Sequence, residues 1–312
     1  MPFHPTRVAI IGCGHVGTTC AYAMLQSRLC REIVLIDEAE DLAKGEALDL
    51  QQSVPLGMPV KIFAGGYKDA AASAIVVLTV GAPVKFTGSR LDLLGANVDI
   101  VRACVGDLMA EHFDGVLLLA TNPVDILTLV AQRESGLPVN RVIGSGTLID
   151  TERFRFILGE SLNVDARSVD AVIIGEHGDS CVAVWSAAQI GGEPLARFPG
   201  AEALPSRETL LARVRRAGPE VFALKGNTCF AIASCVARIC EAILRDERSV
   251  LLVSTLMTGE YGLRDVCLST PCVIGKSGVE RVLVLPLDPS EQKALEHSAD
   301  TLRRAYAGLG EG

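Results

Sequence analysis

A glycine-rich turn carries the most explicit chemical signal in this sequence. Residues 12–17 read GCGHVG and follow a β-branched apolar run at 7–11. Gly12 permits a tight turn, Gly14 lets a pyrophosphate approach the backbone, and Gly17 lets the next helix pack closely on the strand. The free N–H groups at the start of that helix can then bind phosphate oxygens. The pattern predicts a dinucleotide-binding turn.

An acidic residue stands at the distance that such a turn requires. Asp37 ends a second apolar run, residues 33–36, and lies twenty residues after Gly17. A carboxylate there can accept hydrogen bonds from both hydroxyls of an adenosine ribose. Its charge would repel a 2′-phosphate, so the sequence predicts NAD and not NADP.

Three polar features further along the chain could act on a bound substrate. His177 lies between small residues in GEHGD, at 175–179, just after an apolar run. Asp150 and Arg153 are three residues apart near the start of a predicted helix, so they share a face. Arg90 lies near the exit of a loop that begins at Gly81. Each of these three features has an ordinary structural explanation when it occurs alone. Their occurrence in one chain that also contains an NAD-binding turn indicates a catalytic site.

Alternating strands and helices must position these residues. Continuous apolar strands separated by helices predict a doubly wound parallel sheet covered on both faces. We expect an α/β fold in which residues 1–146 form a Rossmann-type NAD-binding domain and residues 147–312 an α+β substrate domain. Predicted strands are 7–11, 33–36, 60–63, 74–80, 116–120, 141–143, 169–174, 182–189, 249–257 and 279–287; predicted helices are 18–29, 42–52, 91–109, 126–132, 207–224, 227–245 and one opened by residues 288–291.

Composition excludes several function classes. The net charge is −8 and the pI is about 5.2, so no basic face is available for nucleic acid. No apolar run is long enough to span a bilayer, and the N-terminus does not look like a signal peptide. The ten cysteines are scattered without a C-x-x-C pair, which favours reduced, buried thiols and no metal site. We expect a cytoplasmic protein.

Six motifs, in order along the chain, resemble those of the L-lactate/malate dehydrogenase family. They are the glycine turn with Asp37, TNPVD at 121–125, DTERFR at 150–155, GEHGD at 175–179, KGNT at 225–228 and GKSGVE at 275–280. The resemblance spans essentially the whole chain. It implies hydride transfer between C4 of the nicotinamide of NAD and C2 of a small 2-oxo acid, with pyruvate and L-lactate as the favoured pair.

The resemblance also implies a role for each polar feature. His177 would donate and accept the proton, since its ordinary pKa is near neutrality. Asp150 would bind the other ring nitrogen and stabilise the imidazolium. Arg153 would clamp the substrate carboxylate with its planar fork. Arg90 would polarise the substrate carbonyl as its loop closes.

The remaining implied site residues line the cofactor and the substrate. Asn122 would bind substrate and help to place the nicotinamide, and Ser145 would contact the carboxamide. Thr228 would line the substrate pocket. Val16, Gly81 and Ala82 complete the implied cofactor site.

Val84 leaves the preferred 2-oxo acid open. Lactate enzymes resemble one another in having Gln at this position, and malate enzymes have Arg. Valine has neither a donor nor a charge, which favours pyruvate or a longer apolar 2-oxo acid over oxaloacetate. If the register of this loop were shifted by one residue, Lys85 would face the substrate in place of Val84. That arrangement would favour oxaloacetate and a malate dehydrogenase.

Two rivals come from other functional classes. An NAD-dependent glycosidase would be expected to have a cysteine before the Asn-Pro turn, where Thr121 stands. A catalytically inactive NAD sensor would be expected to lack His177 or Arg153, and both are present.

Regulation and assembly also follow from the resemblance. Arg155 matches an arginine that binds fructose 1,6-bisphosphate in activated bacterial lactate enzymes, but Asp170 stands where they have a histidine. A carboxylate at that point repels phosphate, so we expect no activation by this sugar bisphosphate. A homotetramer is expected, with a dimer as the alternative.

Overall fold

The computed structural model describes residues 4–57, 59–82 and 90–309. The strands of these residues are β1 (His4–Ile11), β2 (Glu32–Ile36), β3 (Lys61–Ala64), β4 (Ser73–Leu78), β5 (Val116–Leu119), β6 (Val142–Gly144), β7 (Val169–Asp170), β8 (Ile173–Ile174), β9 (Val182–Ala183), β10 (Gln189–Ile190), β11 (Glu193–Pro194), β12 (Ser249–Thr258), β13 (Arg264–Gly275) and β14 (Gly278–Val282). Nine strands of the described chain form one sheet in the order β14-β13-β12-β6-β5-β4-β1-β2-β3.

The first six strands pair in parallel, which confirms the doubly wound prediction. Their order, 3-2-1-4-5-6, places a ligand crevice at the carboxyl ends of β1 and β4, where the winding direction reverses.

The helices of the described chain are α1 (His15–Gln26), α2 (Glu40–Ser53), α3 (Tyr67–Ala71), α4 (Arg90–Ala110), α5 (Val124–Ser135), α6 (Leu148–Leu162), α7 (Arg207–Lys225), α8 (Phe230–Leu244) and α9 (Pro289–Ala307).

Both faces of the sheet are buried, as continuous apolar strands require. Along β1, Val8 and Ile10 belong to one apolar cluster, with residues of α1 and α8. Ala9 and Ile11 belong to a second cluster on the opposite face, with residues of α4, α5 and α9. Since α8 and α9 come from the second half of the chain, both halves cover the same sheet.

The sheet continues into the second half, which the sequence did not predict. β12 pairs antiparallel with β6, and β13 and β14 follow antiparallel. β13 is the longest strand described, yet it was missed. Pro271 lies inside it and cannot donate to the sheet, which normally argues against a strand. Its carbonyl oxygen instead accepts from the N–H of Leu283 at 2.8 Å.

Two predicted strands of the second half were wrong. Residues 169–174 form two short strands in different sheets, because β7 pairs with β10 and β8 with β9. Residues 182–189 are likewise interrupted by a turn at Trp185–Ala187. The Trp185 ring packs edge-on against Phe154 with ring centroids 4.9 Å apart, so Trp185 faces the core at the point where the strand is interrupted. Burial on both sides of the bend hid it from the sequence pattern.

The bounds of two other predicted elements differ from the structure chiefly at one end. The strand predicted at 279–287 ends at Val282, ahead of Pro286, and α8 begins at Phe230, so Thr228 lies before the helix. The start of α9 is as predicted. Asp288 accepts hydrogen bonds from the N–H groups of Ser290 and Glu291, and Glu291 binds back to the N–H of Asp288.

All ten cysteines are free thiols, as expected, and nine are buried. Burial raises the pKa of Cys20 and Cys30 to about 12, so these thiols stay protonated and act as small apolar residues. Within the described ranges, no helix combines the length and the apolar character that crossing a membrane would demand.

Candidate active site

The glycine turn has the geometry that a dinucleotide requires. Gly12 has a φ of +102°, a conformation that side chains rarely adopt. A Cβ at Gly17 would collide with the carbonyl oxygen of Gly12, so helix α1 can pack this closely only without one. At Gly14 a Cβ would meet nothing within 4 Å, which leaves the space over the turn open. Gly14 caps α1 without a side-chain hydrogen bond, so the first amides of the helix face that space.

Asp37 is fixed beside this turn. Its Oδ2 accepts from the N–H of Cys13 at 2.7 Å and its Oδ1 from the N–H of Ala39 at 3.0 Å. Each oxygen keeps a further lone pair for a ribose hydroxyl. The carboxylate therefore lies at the end of β2, next to the glycine turn, and the residues present fit NAD.

We predict that the protein uses NADH in preference to NADPH. Asp37→Ser should lower the ratio of kcat/KM with NADH to kcat/KM with NADPH about tenfold or more, since a like-charge contact with the 2′-phosphate is removed. Steady-state kinetics with both cofactors measures the ratio. Asp41→Ser is the matched control, because it removes one fully exposed carboxylate from the same region. Equal kcat/KM for the two cofactors in the wild type would refute the role of Asp37.

His177 and Asp150 form the predicted contact. Nδ1 of His177 lies 2.5 Å from Oδ2 of Asp150, and the Asp150 side chain is only 7% exposed. Asp150 is placed by the first turn of α6, and His177 by the loop after β8. With Nδ1 engaged, Nε2 is the ring nitrogen left to exchange a proton with a substrate, and 23% of the His177 side chain remains exposed.

The surroundings of His177 favour its protonated form. Burial alone lowers the pKa of the imidazole, but the charge and hydrogen bond of Asp150, with the charge of Asp125, outweigh it and raise the pKa above its ordinary value. Arg153 opposes this shift weakly. The histidine is therefore suited to give a proton near neutral pH.

Arg153 lies beside this pair. Its Nη1 donates to Oδ1 of Asp150 at 3.0 Å, and 20% of its side chain is exposed. Helix α7 passes close behind, because a Cβ at Gly218 would lie 3.4 Å from Nη2 of Arg153. Asp150 therefore holds the imidazole with one oxygen and the guanidinium with the other, so the proton donor and an anion-binding group lie side by side.

Comparisons with known proteins agree with this geometry. Residues 6–144 match the family model described as lactate/malate dehydrogenase, NAD binding domain, and residues 147–308 match the model of the alpha/beta C-terminal domain. The chain belongs to the lactate/malate dehydrogenase family. An L-lactate dehydrogenase of Priestia megaterium is 46% identical over 96% of this chain and 95% of its own length, and one of Acetivibrio thermocellus is 45% identical over 97% of each. The crystal structure of a minor L-lactate dehydrogenase from Enterococcus mundtii superposes with a TM-score of 0.93 at 39% identity, covering 96% of this chain and 97% of that one.

The other expected site residues have the following places in the fold. Asn122 is exposed in the loop between β5 and α5, and Ser145 is buried just after β6, where its N–H donates to Leu119. Thr228 is half-buried in the turn between α7 and α8. Val16 is half-buried in α1, and Gly81 and Ala82 follow β4.

The loop at 81–90, here called the substrate loop, lies only partly within the described residues. Val84 and Lys85 lie outside the described residues, and of Arg90 only its place as the first residue of α4 is given. The expected roles of Arg90 and Val84 therefore stay predictions.

Two polar residues that the sequence did not single out support the site. Asn97, on α4, accepts from the N–H of Ala82 at 2.7 Å and donates to the carbonyl of Asn122 at 2.9 Å. It therefore ties the base of the substrate loop to the loop after β5. Asp125 accepts from the main-chain N–H of His177 at 2.7 Å. Each is a polar residue between apolar neighbours in its helix, which is the sequence signal that could have found it, and both side chains are buried in the structure.

Arg155 and Asp170 lie together. Nη2 of Arg155 is 3.7 Å from Oδ1 of Asp170, and its Nη1 is 3.2 Å from Glu152. The arginine thus faces two carboxylates. The expected lack of activation by fructose 1,6-bisphosphate stays a prediction.

Proposed function

We propose that this protein is an NAD-dependent L-lactate dehydrogenase, which interconverts pyruvate plus NADH and L-lactate plus NAD⁺. The observation that carries the proposal is the cluster in which Asp150 binds both His177, at 2.5 Å, and Arg153, at 3.0 Å. A proton donor next to a carboxylate-binding fork matches a substrate with a carboxylate beside a ketone. Both curated relatives described above are named L-lactate dehydrogenases.

Each side chain of this cluster has a separate role in the reaction. Arg153 binds the pyruvate carboxylate through two parallel hydrogen bonds, which orients the neighbouring ketone. Nε2–H of the imidazolium of His177 donates to the ketone oxygen and transfers its proton as that oxygen gains charge. Asp150 holds the ring and stabilises its positive charge before the transfer. In lactate oxidation the neutral imidazole accepts the hydroxyl proton instead.

Residues of the first half of the chain bind the separate parts of NAD. We propose that the amides after Gly14 bind the pyrophosphate, Asp37 the adenosine ribose, and Ser145 and Asn122 the nicotinamide end. When bound, NADH supplies the hydride that reaches C2 of the substrate. Arg90 polarises the ketone once the loop closes and water leaves, since charge interactions strengthen in a dry site.

We predict pyruvate reduction, measurable reduction of 2-oxobutyrate, and poor reduction of oxaloacetate. Burying the second carboxylate of oxaloacetate against Val84 without a partner costs several kcal/mol, whereas an added methylene changes binding by only about 1–3 kcal/mol. Loss of NADH absorbance with a panel of 2-oxo acids measures these rates.

Two variants decide the register of the substrate loop. If Val84 faces the substrate, Val84→Arg raises kcat/KM for oxaloacetate and Lys85→Ala changes little. If the wild type reduces oxaloacetate better than pyruvate, and Lys85→Ala abolishes that activity, then malate is the product and the lactate proposal is wrong.

We also propose a homotetramer, with a dimer as the alternative. A groove of about 580 Å³ runs along α6 and α8, and Phe156 at its side is 61% exposed. Leu48 on α2 is 58% exposed and Phe230 70%. Large exposed apolar residues on separate helices suit more than one subunit contact. Light scattering should give four times the chain mass of 33.0 kDa. The substitution Phe156→Ser should lower the measured mass. A monomer at micromolar concentration would contradict the assembly.

The cellular setting is proposed on composition and chemistry. The net charge of −8 disfavours nucleic acid as a partner, and the ten free cysteines suit a reducing compartment. We infer a cytoplasmic enzyme that returns NADH from glycolysis to NAD⁺.

A further inference from the structure

The contact between Asp150 and His177 joins two segments that are 27 residues apart. Asp150 is fixed in helix α6, whereas His177 lies in the loop after β8. The distance of 2.5 Å between Oδ2 and Nδ1 therefore depends on how β8 is held against α6. A shift of about 1 Å between the two elements would stretch this contact to the limit of a hydrogen bond.

Two threonines of α6 and its N-cap hold β8 in place. Oγ1 of Thr147 donates to the carbonyl oxygen of Ile173, in β8, at 2.5 Å, and Oγ1 of Thr151 accepts from the N–H of the same residue at 3.0 Å. Ile173 lies four residues before His177. Both of its main-chain groups are thus bound by α6, so the two hydroxyls act on β8 as a neighbouring strand would.

Helical spacing places these hydroxyls beside the catalytic carboxylate. Thr147 caps α6 at its start, and Asp150 and Thr151 follow three and four residues later, so all three lie on one face of the helix. Both threonines are fully buried, which leaves little competition from water for their hydrogen bonds. The face of α6 that directs Asp150 to His177 is therefore the face that binds β8.

The hydroxyl of Thr151 bonds to another segment and not to its own helix. A threonine inside a helix commonly donates to the carbonyl four residues earlier, as Thr128 does to Val124 at 2.7 Å. Thr151 instead directs its hydroxyl to Ile173, where it also lies 3.4 Å from the carbonyl oxygen. Valine has nearly the same shape, but it would leave the buried N–H of Ile173 without this acceptor.

We infer that Thr151 is a positioning residue for proton transfer: its hydroxyl fixes β8 to α6 and so sets the distance between Asp150 and His177. It acts through Ile173 and not on the substrate. The inference rests on the proposed function only for its kinetic readout. It gives the second residue of DTERFR a task separate from that of Arg153 in the same motif.

A change in this distance is measurable at the imidazole of His177. The charge and hydrogen bond of Asp150 raise its pKa against the effect of burial. If β8 moves away from α6, this contribution weakens and the pKa of His177 falls. The charged or titratable groups on the elements around the imidazole are Asp150 and Arg153 on α6, Asp125 on α5, Arg215 on α7, and Glu176, Asp179 and Cys181 in its own loop.

The test compares Thr151→Val, which removes the hydroxyl and nearly keeps the shape, with Thr151→Ser, which keeps the hydroxyl. NMR titration without cofactor or substrate should give a pKa for His177 about half a unit or more lower in Thr151→Val, and near the wild-type value in Thr151→Ser. The chain has five histidines, and the signal lost in His177→Asn identifies this one. Thr128→Val is the matched control, because Thr128 is also fully buried but bonds to its own helix, and it should not move the titration.

Kinetics give the second readout. Reduction of a 2-oxo acid requires the imidazolium, so kcat/KM falls as the pH rises through the pKa of His177. In Thr151→Val this fall should begin at a lower pH, and kcat should drop about tenfold because the proton donor is misplaced. KM for pyruvate should be nearly unchanged, since Arg153 keeps its place on α6, and Thr151→Ser should recover most of kcat.

A lower pKa in Thr151→Val alone supports the inference even if pyruvate is not the substrate, and an unchanged pKa overturns it even if pyruvate is reduced. An equal fall in Thr128→Val or in Thr151→Ser would also overturn it, because the effect would then not depend on the hydroxyl bound to β8. Thr147→Val is the second variant should Thr151→Val fail to fold. It removes the bond to the carbonyl of Ile173, so the pKa of His177 should again fall, and no movement would contradict the inference.

Discussion

His177→Asn is expected to lower kcat for pyruvate reduction by about three orders of magnitude or more, because it removes the general acid and the donor that polarises the ketone. The amide nitrogen of asparagine can take the place of Nδ1 and donate to Asp150, so the fold and the cofactor turn should be preserved. Stopped-flow measurement of NADH oxidation isolates the chemical step, and NADH binding, followed by fluorescence, should be nearly unchanged.

The matched control is His297→Asn, on an exposed position of α9. It makes the same substitution at a solvent-exposed side chain and should leave kcat within about twofold of the wild type, as surface changes usually do. A His177→Asn variant that keeps a tenth of wild-type kcat, with chemistry shown to limit the rate, would remove this histidine from the mechanism.

Arg153→Gln is expected to lower kcat/KM for pyruvate by about a thousandfold, since losing one partner of a desolvated, hydrogen-bonded charge pair costs about 2–5 kcal/mol. Most of the effect should appear in KM, because the carboxylate is bound in both the ground state and the transition state. Arg153→Lys should recover part of the loss, as it restores the charge but not the planar fork.

Arg155→Gln controls for helix α6. Arg155 lies two residues further along and pairs with Glu152 and Asp170. Arg155 is half-buried, but both carboxylates are exposed, and ion pairs with exposed carboxylates contribute about 0–1 kcal/mol, so pyruvate kinetics should scarcely change. If Arg155→Gln raised KM as much as Arg153→Gln, the carboxylate site would have been assigned to the wrong arginine.

The parts of the fold with local signals were predictable. Continuous apolar strands led to the parallel sheet, and the spacing of Gly12, Gly14 and Gly17 with Asp37 led to the cofactor turn. The Asp150–Arg153 contact follows from helical spacing, since residues three apart share a face. The family resemblance joined His177 to Asp150, a contact between two distant segments that spacing alone cannot give.

Non-local structure was harder to predict. β13 was missed because Pro271 interrupts its pattern. The carbonyl of Leu283, whose N–H binds the carbonyl of Pro271, accepts from the Tyr261 hydroxyl, so it has a partner without a proline N–H. The break at Trp185 was hidden because both sides of it are buried. Asp125 received no role, because its hydrogen bond to His177 exists only once α5 and the loop after β8 have folded together.

The central claim is that a hydride from NADH adds to one fixed face of C2 of pyruvate while His177 gives its proton to the ketone oxygen. Its most direct test supplies pyruvate with NADH carrying deuterium at both C4 positions, followed by mass spectrometry and chiral separation of the product. The account predicts L-lactate with one deuterium, at C2. D-lactate, or lactate without deuterium at C2, would contradict it.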